Sequence, residues 1–188
     1  SWLIARLEVE DTGANLDEKT IPELCLIRRK QHFGKDFRNE YFVIENAYYI
    51  IRDAKYSPIS DIDEIAKKYI QLYYKIDMHY RYFYYYYDKL GDSGKFFEKI
   101  KNLIENIYTN EYLNKITSNW CSTFFESDGN TKLLPQSRFY NNCVKTTKDK
   151  VCVIISDALR YEVARTLFEK LESDEKCTAI IDTMQSVL

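Results

Sequence analysis

Asp157 is the residue of this chain best placed to do chemistry. It follows the apolar run Val151-Cys152-Val153-Ile154-Ile155 and lies inside Ser156-Asp157-Ala158-Leu159-Arg160-Tyr161-Glu162. A carboxylate at the end of a buried parallel strand can ligate a hard or borderline cation or act on a substrate, because open α/β sheets place ligands at that edge. The same carboxylate could instead cap the helix that follows, accepting its orphan N–H groups. From spacing alone the two readings weigh evenly. Arg160 could meet a phosphate, and Glu162 falls in the first turn, where the helix dipole favours negative charge; local roles are preferred for both. Asp182 is a second carboxylate near a strand end, read as a surface turn. Ser156 has no glycine-flanked elbow and no partnered histidine, so it is not read as a nucleophile.

The elements that must position Asp157 follow from the pattern around it. Residues 151–155 are β-branched and apolar without alternation, which predicts a strand buried on both faces. Leu159, Val163, Leu167 and Leu171 recur every fourth residue, which predicts a helix. A second apolar run at 178–181 completes a predicted βαβ unit with parallel strands. The turn after the first strand has no glycines, which counts against a nucleotide-binding or receiver-like reading.

Upstream the periodicity is helical. Residues 2–7 read as the end of a helix, 21–31 as a short helix with Pro22 in its first turn, and 36–54 as a longer one. Ile62, Ile65, Tyr69, Leu72, Ile76, Tyr80, Phe83, Tyr87 and Leu90 form a heptad-like seam, so 60–90 is predicted as one helix, capped at Ser60 or Asp61 and stopped at Gly91. Phe96, Ile100, Leu103 and Ile107 continue after a short polar connection, which predicts an antiparallel helical hairpin. Tyrosine is abundant, 17 in all, with four in a row at 84–87. Four consecutive residues point around the whole circumference of a helix, so they cannot line one nucleobase-stacking face; they read as amphipathic filler. Asp77 and Arg81 stand at i, i+4, the spacing of an intrahelical ion pair. Residues 127–150 are polar and mark a boundary between a helical region, 1–145, and an α/β segment, 150–188. The fold class is thus α+β.

Composition narrows the functional classes. A net charge of −2 argues against non-specific nucleic-acid binding by this chain, and Arg28-Arg29-Lys30 reads as a solvated helix face. The five cysteines include no C-x-x-C pair and are not near-spaced to His32 and His79, which argues against a zinc knuckle. Cys152 is expected to be a buried small hydrophobe. Neither a signal peptide nor a long apolar run is present, and the first residue is not Met, so a cytoplasmic location and a piece of a longer protein are expected.

IISDALRYE resembles the opening motif of PglZ, the alkaline-phosphatase-superfamily proteins of BREX phage-defence systems. Asp77-x-x-Tyr80-Arg81, Trp120 and Gln136-x-x-Phe139-Tyr140 are similar to landmarks that precede it, and Arg28-Arg29-Lys30-Gln31-His32-Phe33-Gly34 to a weaker one. The resemblance implies a metal-dependent phosphatase, phosphodiesterase or nuclease-like parent protein in which Asp157 is one metal ligand, with zinc first and manganese or magnesium as alternatives. It implies a threonine nucleophile and further ligands beyond 188, so no catalytic residue lies in this chain, which is expected to be inactive and metal-free by itself. Arg160, Asp77 and Arg81 would be supporting residues, the last two as a polar anchor between the helical and phosphatase-like parts. Implied partners are other BREX components and, through the longer protein, nucleic acid. A truncated βαβ unit also predicts packing against the helical region or a second copy. The competing class is a helical interaction scaffold without catalysis.

Overall fold

A computed structural model describes residues 2–157 and 159–186. Helix α1 (Trp2–Leu7) is followed by a two-residue antiparallel pair, β1 (Asn15–Leu16) and β2 (Lys19–Thr20), which turns the chain into α2 (Ile21–Lys30). Pro22 sits in the first turn of α2, where its missing N–H costs nothing, and the Glu23 carboxylate reaches back to accept from the Thr20 N–H (2.8 Å) and hydroxyl (2.7 Å). Gly34 lies so close under this helix that a Cβ there would stand 1.7 Å from the Arg28 carbonyl oxygen. Helix α3 (Arg38–Asp53) then runs through the centre, its Val43, Ile44, Ala47, Ile50 and Ile51 buried on one stripe.

The long seam at 60–90 becomes α4 (Ile62–Lys68), a π-helical segment (Tyr69–Tyr73) and α5 (Tyr74–Tyr87) without a break. Asp61 caps it, accepting from the Asp63 and Glu64 N–H groups, and Gly91 at φ +56° ends it. After a 3₁₀ connection (Gly91–Phe97), α6 (Glu98–Asn106), a second π-helical segment (Ile107–Leu113) and α7 (Asn114–Glu126) run back. Tyr87 bonds Glu98, Tyr80 bonds Glu105, and Tyr112 bonds the Tyr73 carbonyl, an order that makes the two long helices antiparallel. Phe83, Ile76, Ile100 and Ile104 join the α3 stripe to form the core. The tyrosine run spreads around its helix: Phe42 stacks on Tyr86 at 4.2 Å, Tyr84 reaches Glu105, and Tyr85 stays 52% exposed.

The C-terminal part departs from the βαβ expectation. Among the described residues neither 151–155 nor 178–181 is a strand; Ile154 and Ile155 are 86% and 88% exposed, and Ile180 is 86% exposed. A central parallel strand needs a partner on each edge and cover on each face. The described residues supply neither, so the apolar runs stay extended and bare, and Cys152 is exposed rather than buried. The parallel pair that does form joins β3 (Leu134–Pro135) to β4 (Met184–Gln185), tying the polar boundary segment to the end of the chain. Helix α8 (Tyr161–Glu172) starts with Arg160 as its cap residue in extended conformation and no side-chain cap bond. Asp157 is therefore not the helix cap.

Candidate functional site

The site is built where α8 lands on the hairpin. The first turn of α8 turns Tyr161 and Glu162 inward while the rest of the helix stays half-buried or exposed. Tyr161 lies against Tyr69 and Tyr74, ring centroids 6.0 and 5.6 Å away, and its hydroxyl donates to the Ile70 carbonyl at 3.4 Å. Ile70 belongs to the π-helical segment, whose wider turn loosens the usual carbonyl pairing and leaves an acceptor for an outside donor. Tyr112 uses Tyr73 of the same segment in the same way, at 3.2 Å.

Glu162 is 1% exposed, and its Oε1 stands 3.6 Å from the Arg81 Nε. Such a buried carboxylate is held only by an opposite charge; Arg81 provides it from α5 while its guanidinium rests on Tyr82 at 4.4 Å. Arg81 therefore pairs across elements rather than with Asp77. Asp77 is taken by tyrosines instead: the Tyr69 hydroxyl donates to Oδ2 at 2.7 Å and the Tyr108 hydroxyl to Oδ1 at 3.0 Å. Burial pushes the Asp77 carboxyl above the ordinary aspartate range, although both hydroxyls pull it back. Burial likewise drives the phenols of Tyr69, Tyr108 and Tyr112 upward, with the Asp77 charge adding to it.

Asp77 also lines a groove of about 1020 Å³ between the hairpin and the β3–β4 pair, walled by Tyr69, Tyr112, Trp120, Phe124 and Met184. Trp120 stacks on Phe124 at 6.0 Å. Asp157, Arg160 and Asp182 are all exposed, as is Tyr140 at 63%, while Gln136–Arg138 form a 3₁₀ turn. Among the described residues no three His, Cys, Asp or Glu side chains converge on one point. A catalytic divalent metal needs about three protein ligands, so the residues present do not by themselves fit one: Asp157 offers a single free carboxylate. Of the supporting residues inferred from sequence, Asp77 and Arg81 are brought into one region and Arg160 is not. Arg29, expected on a solvated face, turns inward to pair with Glu45 and stacks on Phe42 at 4.0 Å.

Glu162 is the residue that sequence reasoning underrated. A glutamate in a first turn looks like a dipole partner, and its true partner lies eighty-one positions upstream. Asn119 was missed altogether: its Oδ1 accepts from the Tyr56 hydroxyl (2.6 Å) and the Ile59 N–H (2.7 Å), and its Nδ2 donates to the Ile59 carbonyl at 3.0 Å. A polar residue inside an apolar helical period was the available signal.

Comparison with known proteins bears on this arrangement. Residues 137–188 match the profile described as the BREX system PglZ alkaline phosphatase-like domain. The chain is 35% identical over 179 residues to the alkaline phosphatase-like protein PglZ of Bacillus cereus (strain H3081.97), an alignment covering 88% of this chain and 21% of that protein. It is 31% identical over 134 residues to the alkaline phosphatase-like protein BrxZ of Escherichia coli O9:H4 (strain HS), covering 65% of this chain and 15% of that one. The chain thus spans about a fifth or less of the length of these curated relatives. No solved structure matches. The SDALRYE stretch lies inside the matched residues, and the similarity to the first relative runs through the hairpin as well, so the chain belongs to the PglZ family of alkaline phosphatase-like BREX proteins.

Proposed function

We propose that this chain is a leading part of a metal-dependent phosphoric-ester hydrolase of BREX phage defence, and that Asp157 is one of its metal ligands. The observation that carries the reading is that Asp157 lies inside the profile-matched residues, is exposed, and is not used to cap α8. Residues 1–145 form the helical region and 150–188 the start of the phosphatase-like domain. The apolar run at 151–155 becomes a central strand once further strands flank it, which accounts for its bare isoleucines. The nucleophile and the other ligands come from other parts of the longer protein, so no chemical step is assigned to the residues described and the chain alone turns over no ester. When bound, the metal would polarise a phosphoryl oxygen; zinc is the first choice, with manganese or magnesium as alternatives. Partners are other BREX components, and the location is cytoplasmic, in keeping with four exposed thiols. Among the described residues no helix is long and apolar enough to cross a membrane.

The test is hydrolysis of an aryl phosphodiester by the full-length protein with added zinc or manganese, beside Asp157→Ala. Metal-dependent turnover that falls at least a hundredfold in the variant is the expected result; equal turnover in both removes the assignment. The groove walled by Trp120 and Phe124 favours a second reading, a helical scaffold that docks another BREX component, and absence of turnover in either protein would leave that one standing.

A further inference from the structure

The geometry points to Glu162 as a positioning residue: its buried carboxylate, latched to Arg81, fixes the loop that carries Asp157 to the helical hairpin. The link to Asp157 as a metal donor rests on the reading above; the latch does not. Glu162 is the one acidic side chain among the described residues of α8 that is fully buried, and it lies five positions after Asp157. Arg160, the residue before α8, is extended, so the first turn of α8 sets the direction from which residues 159 and 160 enter the helix. Three contacts hold that turn: Arg81 to Glu162, Tyr161 to the Ile70 carbonyl, and Tyr161 against Tyr69 and Tyr74. All three use the α4–π–α5 helix, and only the first is an interaction between charges. The Arg81 Nε and Nη2 and the Glu162 Oε1 are buried and make no hydrogen bond, so each charge depends on the ion contact with the other. The hairpin is on this view the bed of the α/β segment, not a separate module tethered to it.

Hydrogen exchange in the full-length protein tests this, using Glu162→Gln, Arg81→Met and the double variant. The amides of Val163 and Ala164, both bonded to the Arg160 carbonyl at 3.0 Å, report on the latched turn. Each single variant should speed their exchange at least tenfold while the amides of α3 stay unchanged, and the double variant should be no faster than the faster single. Unchanged exchange in Glu162→Gln, or effects that multiply in the double variant, would overturn the latch. A second arm titrates Mn²⁺ alone, with Asp157→Ala alongside. If Asp157→Ala abolishes binding, Glu162→Gln should weaken it at least fivefold, and undiminished affinity overturns the positioning role. If Asp157→Ala binds as well as wild type, the metal reading fails, and the exchange result alone decides the latch.

Discussion

At the scale of single residues, His79 shows how burial sets chemistry. Its Nδ1 lies 2.9 Å from the Asn46 Oδ1, and Asn46 spends its Nδ2 on the Phe42 carbonyl, so His79 is the donor and the ring is neutral with its proton on Nδ1. Burial lowers its pKa to about 4. The unfolded chain takes up this proton near pH 6.5 and the folded one does not, so the stability it confers is full above pH 6.5 and is lost as pH falls towards 4. The loss should reach up to about 2 kcal/mol at pH 5. Asp77 works in the opposite sense: its raised carboxyl favours the folded state as pH falls through the aspartate range. Urea unfolding of wild type and His79→Gln from pH 7 to 5 separates the two, because glutamine can keep the bond to Asn46 without titrating. The wild-type slope should be the steeper, and parallel curves would remove His79 from the acid limb.

At the scale of elements, the connection between α3 and α4 is hydrogen-bonded to α7 through one side chain. Asn119 on α7 satisfies both backbone groups of Ile59 and the hydroxyl of Tyr56. Removing it leaves three buried or half-buried polar groups without partners, each costing about 1 kcal/mol or more. Asn119→Ala should therefore lower stability by about 2–4 kcal/mol in denaturant unfolding, whereas Asn114→Ala, on the exposed side of the same helix, should stay within about 0.5 kcal/mol. The two π-helical segments belong to the same scale. Each interrupts a long helix where a tyrosine hydroxyl or carbonyl must be shared with a neighbour, and no propensity scale marks that position.

At the scale of the whole molecule, thiol chemistry reports which stretches of the chain are covered. Cys25 is buried in the α2–α3 core, and burial pushes its thiol up to about 12. Cys121, Cys143, Cys152 and Cys177 are exposed. An Ellman titration of the native chain should count four reactive thiols, and the fifth should appear only on unfolding. Protection of Cys152 in the full-length protein would show that strand 151–155 becomes covered there, as a central strand should be.

The local elements were legible in the sequence because they are written in short-range periodicity. The 3.6-residue recurrence of Ile44, Ala47, Tyr48 and Ile51, the Asp61 cap, Pro22 at a helix start and Gly91 at a helix end all act within a turn or two of themselves. The SDALRYE stretch carried the family for the same reason, since a motif is local. What the tertiary structure decided was every partnership between distant residues. Asp77 and Arg81 stand at ion-pair spacing, yet two tyrosine hydroxyls take the first and a glutamate from another element takes the second. The run 151–155 has the composition of a central strand but is not one here, because a strand is defined by its neighbours and the described residues provide none. Helix-forming bonds close within four residues, whereas ladders and buried charge pairs must be closed by whatever the fold brings alongside.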